Sequence, residues 1–172
     1  MPAGYNVPDI RLVQNNLFPA YDVTVDWQLL PDGTLDATQA LATAVIVALG
    51  TDRLADITDV LPDPDSTDRR GWWGDMDADV IWNGWPIGSK LWLLQRSAIS
   101  SPDFKQGSTM TKITNYIKNC MQPFVDRKIA SQFDVVSVRV DAQRIDAQVR
   151  LFRGPKAAVD LMFQILWTEI PS

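Results

Sequence analysis

The side chains best suited to chemistry are concentrated in residues 51–85, which hold nine of the 20 aspartates and four of the seven tryptophans. Paired carboxylates beside aromatic rings are used by glycosidases, in which an apolar wall keeps one acid protonated while the other stays ionised. Asp75 and Asp79 have the residue type for those two roles. So many like charges in one stretch are more typical of an exposed loop, because charged side chains are rarely buried without partners. We therefore keep glycan hydrolysis as an alternative and favour an exposed, charged loop.

The same segment also contains part of a calcium-binding pattern. Asp75, Asp77 and Asp79 have the 1-3-5 spacing of an EF-hand loop. Position 6 would be Val80, where the sharp turn requires glycine, and position 12 would be Pro86, where a bidentate glutamate is required. We predict no metal site and no cofactor.

Composition excludes several catalytic groups. The chain has no histidine and a single cysteine, Cys120, so a Cys/His zinc site, a Ser-His-Asp triad and a Cys-His pair are all absent. The run Gly88-Ser89-Lys90 lacks the upstream glycine spacing of a phosphate-binding loop. The sequence predicts a protein that is not an enzyme, with Cys120 as a small core side chain.

The charge is distributed unevenly along the chain. Residues 1–80 carry 14 Asp against 4 Arg, and residues 81–172 carry 7 acids against 12 Lys and Arg. An overall charge of −5 and the lack of a dense basic cluster argue against nucleic acid as a partner. No apolar run reaches the roughly 20 residues of a membrane span, and residues 1–4 lack the basic start of a secretory signal. We expect a soluble protein made in a reducing cytoplasm, with no membrane contact.

The N-terminal part predicts two short strands and a helix. Partly alternating stretches at residues 9–13 and 21–29 indicate the strands. A capping box beginning at Asp36 predicts a helix that runs to about Leu49, and Gly50 supplies its stop. Apolar residues surround this helix, so we expect it to be buried on nearly all sides.

Two further helices follow from the 3.6-residue period. One is predicted from near residues 86–89 to a point before Pro102, and another from residues 108–109, with a kink or an end at Pro123. The apolar positions are Ile87, Leu91, Leu94 and Ala98 in the first, and Met110, Ile113, Ile117, Cys120 or Met121, and Phe124 in the second.

After Gln132 the period changes to two, which predicts three strands joined by tight turns in an antiparallel meander. The fold class is therefore α+β: helices packed on a C-terminal three-stranded antiparallel sheet, with short N-terminal strands and a long loop rich in Trp and Asp. Residues 1–172 form a single domain in this prediction, with residues 1–8 as an extended tail. The predicted core faces are Val136, Val138 and Val140; Ile145, Ala147, Val149 and Leu151; and Val159, Leu161, Phe163, Ile165 and Trp167.

Residues 51–85 show neither the 3.6-residue period of a helix nor the two-residue period of a strand. A connection this long is either functional or disordered, and disordered segments are poor in aromatic residues. We therefore predict an ordered interaction loop, in which tryptophans offer contact surface and Arg69 and Arg70 offer bidentate donors. The alternative is that the tryptophans fill the core of the domain itself. The four tryptophans are Trp72, Trp73, Trp82 and Trp85.

Four blocks of this sequence resemble the Mu-like phage and prophage baseplate protein family, which is similar to the wedge proteins of other contractile tails. The resemblance covers residues 9 to about 100, and the C-terminal half matches in pattern alone. The spacer at residues 76–85 is longer and more aromatic than is usual in the family. The blocks are Thr51-Asp52-Arg53, Leu61-Pro62, Asp68-Arg69-Arg70-Gly71-Trp72-Trp73-Gly74-Asp75 and Pro86-Ile87-Gly88-Ser89-Lys90-Leu91-Trp92-Leu93-Leu94.

The resemblance implies a non-enzymatic wedge component that joins the hub and tube to the outer baseplate and sheath, present in several copies. It implies assembly in the host cytoplasm and a final location in the virion tail. A long final strand at a sheet edge would suit docking of sheath subunits by β-augmentation. The alternative is a tail-associated module that binds or hydrolyses cell-wall glycan. The predicted protein-interaction residues are Arg69, Arg70, Gly71, Trp72, Trp73, Gly74, Asp75 and Trp92.

Overall fold

A computed structural model describes residues 12–15, 24–27, 29–34, 40–81, 83–95, 109–140 and 144–166. The chain divides into two compact units, Met1–Ile46 and Val47–Ser172. The predicted tail at residues 1–8 lies outside the described residues. Among those that are described, none of the helices has both the length and the apolar character needed to cross a bilayer.

The first unit contains the two short strands that the sequence predicts. Strand β1 (Leu12–Asn15) pairs antiparallel with β2 (Thr24–Trp27). A turn follows at residues 30–34, where the Asp32 carboxylate accepts hydrogen bonds from the backbone N–H of Thr34 at 2.9 Å and from its hydroxyl at 2.6 Å. Side-chain bonds of this kind are why aspartate favours turns.

Helix α1 is Ala40–Gly50. Its predicted start at Asp36 lies outside the described residues, and its end at Gly50 agrees with the prediction. Val45 and Leu49 are buried, whereas Val47 is 43% exposed, so burial covers most of the helix but not its full circumference.

The segment that follows is ordered but mostly irregular. It contains a 3₁₀ turn (Trp73–Asp77), the one-turn helix α2 (Ala78–Ile81) and a second 3₁₀ turn (Leu91–Leu94). The prediction of a long helix from residues 86–89 onward is wrong for its described part, because residues 86–90 form no helix and only the short 3₁₀ turn is helical. The remainder of that predicted helix, from residue 96, lies outside the described residues.

Helix α3 (Thr109–Asp126) confirms the prediction closely. Pro123 lies within it, and the helix ends three residues later. Lys128 takes a left-handed conformation at φ +59°, and the N–H of Ile129 bonds to the Phe124 carbonyl at 2.9 Å. This is the Schellman arrangement that closes many helices. The buried face of α3 is Thr109, Ile113, Ile117, Cys120, Met121 and Phe124.

The second unit ends in the predicted three-stranded meander. The strands are β3 (Gln132–Arg139), β4 (Arg144–Arg153) and β5 (Lys156–Leu166), in the spatial order β3-β4-β5 with antiparallel pairing throughout. Helix α3 packs against β3, where the Thr114 hydroxyl lies 3.0 Å from that of Ser137. The α+β class is confirmed.

The face predicted for β3 is wrong, whereas that of β4 is right. Val136 and Val138 are 45% and 56% exposed, and Val135 is the buried valine of the strand. Val140, also predicted for the core, lies just beyond the strand and is 51% exposed. The register decides the face, since Val135 lies opposite Val149, which has no exposed surface. Directly opposed residues share a face of the sheet, so β3 must turn Val135 inward.

Candidate functional site

Two of the sequence blocks lie side by side and form the base of the candidate site. The N–H of Ser89 donates to the Thr51 carbonyl at 2.9 Å, and the N–H of Arg53 donates to the Ser89 carbonyl at 3.0 Å. The Ser89 hydroxyl, which is buried, donates to the Leu49 carbonyl at 2.9 Å. These bonds tie residues 88–89 to the end of α1.

Gly88 makes this close approach possible. Its φ is +113°, and a Cβ at this position would lie 2.7 Å from both the backbone N of Arg53 and the carbonyl O of Thr51. Real Cβ atoms do not approach backbone atoms this closely, so only glycine fits without displacing the bridge.

Arg69 is used inside the fold. Its Nε and Nη2 donate to the Ala55 carbonyl at 3.0 and 2.9 Å, and its own carbonyl accepts the Ala55 N–H at 3.0 Å. One residue thus satisfies both backbone groups of Ala55, which is 3% exposed. Buried backbone groups need such partners, so Arg69 holds the two arms of the loop together.

Arg70 forms a clamp above Trp92. Its Nη1 lies 2.5 Å from Asp52 Oδ2, and its Nη2 donates to Gln95 Oε1 at 3.1 Å. The guanidinium carbon lies 4.6 Å from the centre of the Trp92 ring, a cation–π distance. The backbone of Arg70 is left-handed at φ +52°, and its N–H donates to Asp68 Oδ1. Arg70 is therefore paired with an aspartate of the same loop.

Trp92 belongs to the core beneath this clamp. It is 5% exposed, and its Nε1 donates to the Arg53 carbonyl at 2.8 Å. It forms a buried cluster with Ala55 and Leu93, against which Leu61 packs. Trp92 supports the loop from below and presents no surface of its own.

Gly71 lies close against Leu54, and the two tryptophans after it differ in exposure. Gly71 has φ +105°, and a Cβ there would lie 3.0 Å from that of Leu54. The rings of Trp72 and Trp73 are 5.3 Å apart, centre to centre, at 50°. Trp72 is half-buried, whereas Trp73 is 76% exposed.

Asp75 closes the aromatic spacer. Its Oδ1 accepts the Ile87 N–H at 3.1 Å, and its own N–H bonds to the Trp72 carbonyl at 3.0 Å within the 3₁₀ turn that includes Gly74. Its Oδ2 is buried and has no hydrogen-bond partner among the described residues. Asp75 therefore ties the residue before the spacer at residues 76–85 to Ile87, which lies just after it.

Trp85 anchors the far end of the spacer on α3. Its ring meets Phe124 edge to face at 5.0 Å, and the Arg127 guanidinium carbon lies 5.0 Å from its centre. Arg127 also donates to the Asn83 carbonyl at 2.8 Å. Nothing in the sequence indicated a role for Arg127, because its partners are more than 40 residues away in the chain. The side chain of Trp82 lies outside the described residues.

A second cluster, also missed from the sequence, surrounds Lys90. Its Nζ lies 2.5 Å from Asp56 Oδ2 and 2.6 Å from Asp59 Oδ2. Burial alone would lower the pKa of Lys90, but the hydrogen bonds and charges of the two aspartates outweigh it and raise that pKa. The hydrogen bond from Lys90 in turn lowers the pKa of Asp56. The sequence did contain one indication of this cluster, because Lys90 is the first basic residue after the acidic residues 51–85.

A groove of about 530 Å³ opens beside Lys90. Tyr116 and Asn119 of α3 line it, together with the Lys90 ion pair. Burial, and to a lesser extent the charge of Asp59, raise the pKa of the Tyr116 hydroxyl. None of the eight residues predicted for the interaction site lines this groove.

The geometry gives little support to glycan hydrolysis, metal binding or a reactive thiol. Asp75 uses one oxygen to hold the Ile87 N–H, and the side chain of Asp79 lies outside the described residues. The parts of the chain that the structure describes hold no cluster of three or more acids or cysteines placed to bind a metal. Burial raises the pKa of the Cys120 thiol to about 12, and the thiol lies 3.2 Å from the Ala48 carbonyl. A thiol in that state is a poor nucleophile.

The structure brings the predicted residues together but divides them by role. Arg69, Arg70, Asp75 and Trp92 hold the loop onto its own core, as Gly71 does by its conformation. Trp73 is the large side chain of the block that faces outward. The core interpretation therefore holds for Trp85, which packs on Phe124, whereas contact of Trp73 with another protein stays a prediction.

Comparison with known proteins agrees with the motif resemblance and extends it. Over residues 41–158 the chain matches the family described as Phage protein GP46. It is 38% identical over 102 residues to the baseplate protein gp46 of Escherichia phage Mu. That alignment covers 59% of this chain and 60% of the relative, so the chain spans about three fifths of the curated relative's length. No solved structure matches the chain.

Proposed function

Since this chain belongs to the GP46 family of phage proteins, a Mu-like baseplate family, we propose that it is a wedge component of a contractile tail baseplate. In that role it joins the hub and tube to the outer baseplate and sheath through protein contacts. It is assembled in the host cytoplasm, ends in the virion tail and is present in several copies. Its function is structural and not enzymatic.

The observation that carries this proposal is how the charged residues of the family-specific block are used. Arg69 bonds to Ala55, Arg70 pairs with Asp52, and Asp75 holds Ile87. A catalytic acid would have to present its carboxyl group to a substrate, whereas these groups bind the loop to its own fold. The loop also presents exposed apolar side chains, Trp73 among them, which suit a contact with another protein.

The test is co-expression with the product of the neighbouring baseplate gene, followed by size-exclusion chromatography. We expect the two chains to elute together as a stable complex. Separate elution at both low and moderate salt would contradict the wedge role. Incubation with peptidoglycan forms the second arm, because a loss of turbidity that disappears in Asp75→Asn would instead support the glycan-hydrolysing alternative.

The edge of the C-terminal sheet supports the proposed sheath contact. Strand β5 has 11 residues and lies at one end of the order β3-β4-β5, so one of its sides pairs with β4 and the other remains available in the described part of the chain. An edge of this length can accept a further strand through main-chain hydrogen bonds. We propose that a sheath subunit supplies that strand.

A further inference from the structure

Three large apolar side chains project from the segment that contains the first 3₁₀ turn and α2. Trp73, Met76 and Val80 are 76%, 84% and 82% exposed. Residues three apart eclipse one another in a 3₁₀ turn, and residues four apart share a face in an α-helix. The three side chains therefore lie along one side of the segment, and we call them the apolar ridge.

The ridge is held in place from beneath. Ala78, on the opposite side of the segment, is 8% exposed. The Ile87 N–H bonds to Asp75 Oδ1, and the Gly84 N–H bonds to the Ala78 carbonyl at 2.9 Å. A surface that is already ordered loses little conformational entropy on binding, which favours its use as an anchor.

The ridge has the dimensions of an anchor and not of a whole interface. Burying one tryptophan removes roughly 150–250 Å² of surface, whereas a stable interface takes about 800 Å² from each partner. Exposed tryptophans at the centre of such contacts supply a large share of the affinity. We therefore expect a wider contact with Trp73 near its centre.

Charge indicates what kind of partner fits. Asp77 is exposed between the ridge residues, and residues 51–85 carry nine aspartates against three arginines, a net charge of −6. Arg69 and Arg70 are already bonded to groups of this chain, Arg69 to the Ala55 carbonyl and Arg70 to Asp52. A contact between the ridges of two copies would bring like charges together, so a different chain of opposite charge is favoured.

We propose that the apolar ridge inserts into an apolar pocket bordered by lysine or arginine side chains on a different protein of the baseplate. This rests on the proposed function, because the partner is another baseplate component. The ridge supplies the apolar anchor, and Asp77 faces the basic border of the pocket.

The first test replaces Trp73 with the photo-crosslinking residue p-benzoylphenylalanine in tails assembled from otherwise unchanged chains. After irradiation, mass spectrometry identifies the peptide joined to position 73. We expect a peptide of another baseplate protein, with lysine or arginine next to the crosslinked residue. A crosslink to a second copy of this chain, or none at all, would overturn the proposal. The same photo-crosslinking residue at position 57, where the side chain is 91% exposed and lies outside the ridge, is the control for proximity.

The second test measures affinity for the protein identified by that crosslink. We expect Trp73→Ala to weaken binding at least about 30-fold, as for an interface hot spot, with an unchanged melting temperature because the side chain is exposed. Ile57→Ala is the matched control, since Ile57 is 91% exposed and lies outside the ridge. Asp77→Lys should slow association, and Asp77→Asn should reduce its dependence on salt. Equal affinities for Trp73→Ala and Ile57→Ala would contradict the proposal.

The two proposals fail in different ways. If the unaltered chain is absent from purified baseplates, the proposed function fails. If the chain is present there and position 73 contacts no other protein, the baseplate role stands and the ridge is not the contact.

Discussion

Gly88 shows how one residue without a side chain determines the position of a whole block. It lets residues 88–89 lie against Thr51 and Arg53, and the bonds of Ser89 then connect the block to α1. Trp92, three residues beyond the bridge, is thereby placed under Arg70. The geometry of the Arg70 clamp depends on this crossing of two backbones.

We therefore expect Gly88→Ala to lower the free energy of unfolding by about 3 kcal/mol or more, since the added Cβ meets two backbone atoms at 2.7 Å. Gly154→Ala is the matched control, because Gly154 also has a positive φ, +77°, but nothing within 4 Å of the added Cβ. It should cost only about 1–2 kcal/mol. Urea denaturation of both variants measures the difference, and equal losses would contradict the role assigned to Gly88.

Lys90 is a second single residue that stabilises the loop, through its charge. Its ion pair with Asp56 and Asp59 stabilises the fold only while Lys90 is protonated and the aspartates are ionised. The folded-state pKa of Asp56 is lowered from 3.8, so its contribution is lost as the pH falls through that lowered value. The pKa of Lys90 is raised from 10.5, so its contribution is lost as the pH rises through that raised value.

The resulting prediction concerns Lys90→Met. We expect this variant to be less stable than the unaltered chain between about pH 5 and pH 10, with the gap narrowing on both sides of that window. Urea midpoints measured across the pH range test it. Lys156→Met, at an exposed position, should show no such window. A gap that persists unchanged down to pH 2 would contradict the pairing with Asp56.

Among the elements, β3 shows where alternation alone is ambiguous. Val135 and Val136 are adjacent, so a valine can face the core in either phase of the strand. Packing against α3 and pairing with the buried face of β4 select Val135. A shift of one residue exchanges the two faces, which is why local pattern gave the wrong side.

Substitution of these two valines tests the assignment. We expect Val135→Ala to lower the free energy of unfolding by about 2 kcal/mol, because it removes buried methyl groups and leaves a cavity. Val136→Ala, at 45% exposure, should cost less than about 0.5 kcal/mol. Thermal or urea denaturation compares the pair, and a larger loss for Val136→Ala would reverse the faces of β3.

The edge of β5 that pairs with no other described strand is tested by hydrogen exchange in the presence of purified sheath protein. We expect the amides of β5 that point away from β4 to exchange more slowly on binding, because an added strand accepts their hydrogen bonds. The amides already bonded to β4 serve as internal controls and should change little. Slowing restricted to β3, or no slowing in the sheet, would contradict docking at this edge.

At the scale of the whole molecule, charge is divided along the chain. Residues 1–80 carry a net charge of −10 and residues 81–172 a net charge of +5, and the acidic surplus includes the exposed loop. Exposed aspartates of residues 51–85, such as Asp56 and Asp77, can steer the chain toward neighbours of opposite charge.

We therefore expect assembly with the proposed baseplate partners to slow as salt increases, because screening shortens the reach of surface charges from about 10 Å at 0.1 M to about 3 Å at 1 M. Stopped-flow measurement of tryptophan fluorescence gives the association rate. The dissociation rate should change much less and serves as the comparison. Association rates independent of salt would contradict charge steering.

The sequence by itself determined the α+β class, helix α3, the three C-terminal strands and the family, because periodicity and a contiguous motif are local properties of the chain. Only the tertiary structure decided the inner face of β3, the replacement of a predicted helix by the bridge at Gly88, and the partners of Arg70 and Lys90. Those features depend on groups 14 to 37 residues apart in the chain. Which tryptophans support the fold and which face outward was decided in the same way, since Trp72 and Trp73 are neighbours of one type and differ only in what the folded chain brings beside them.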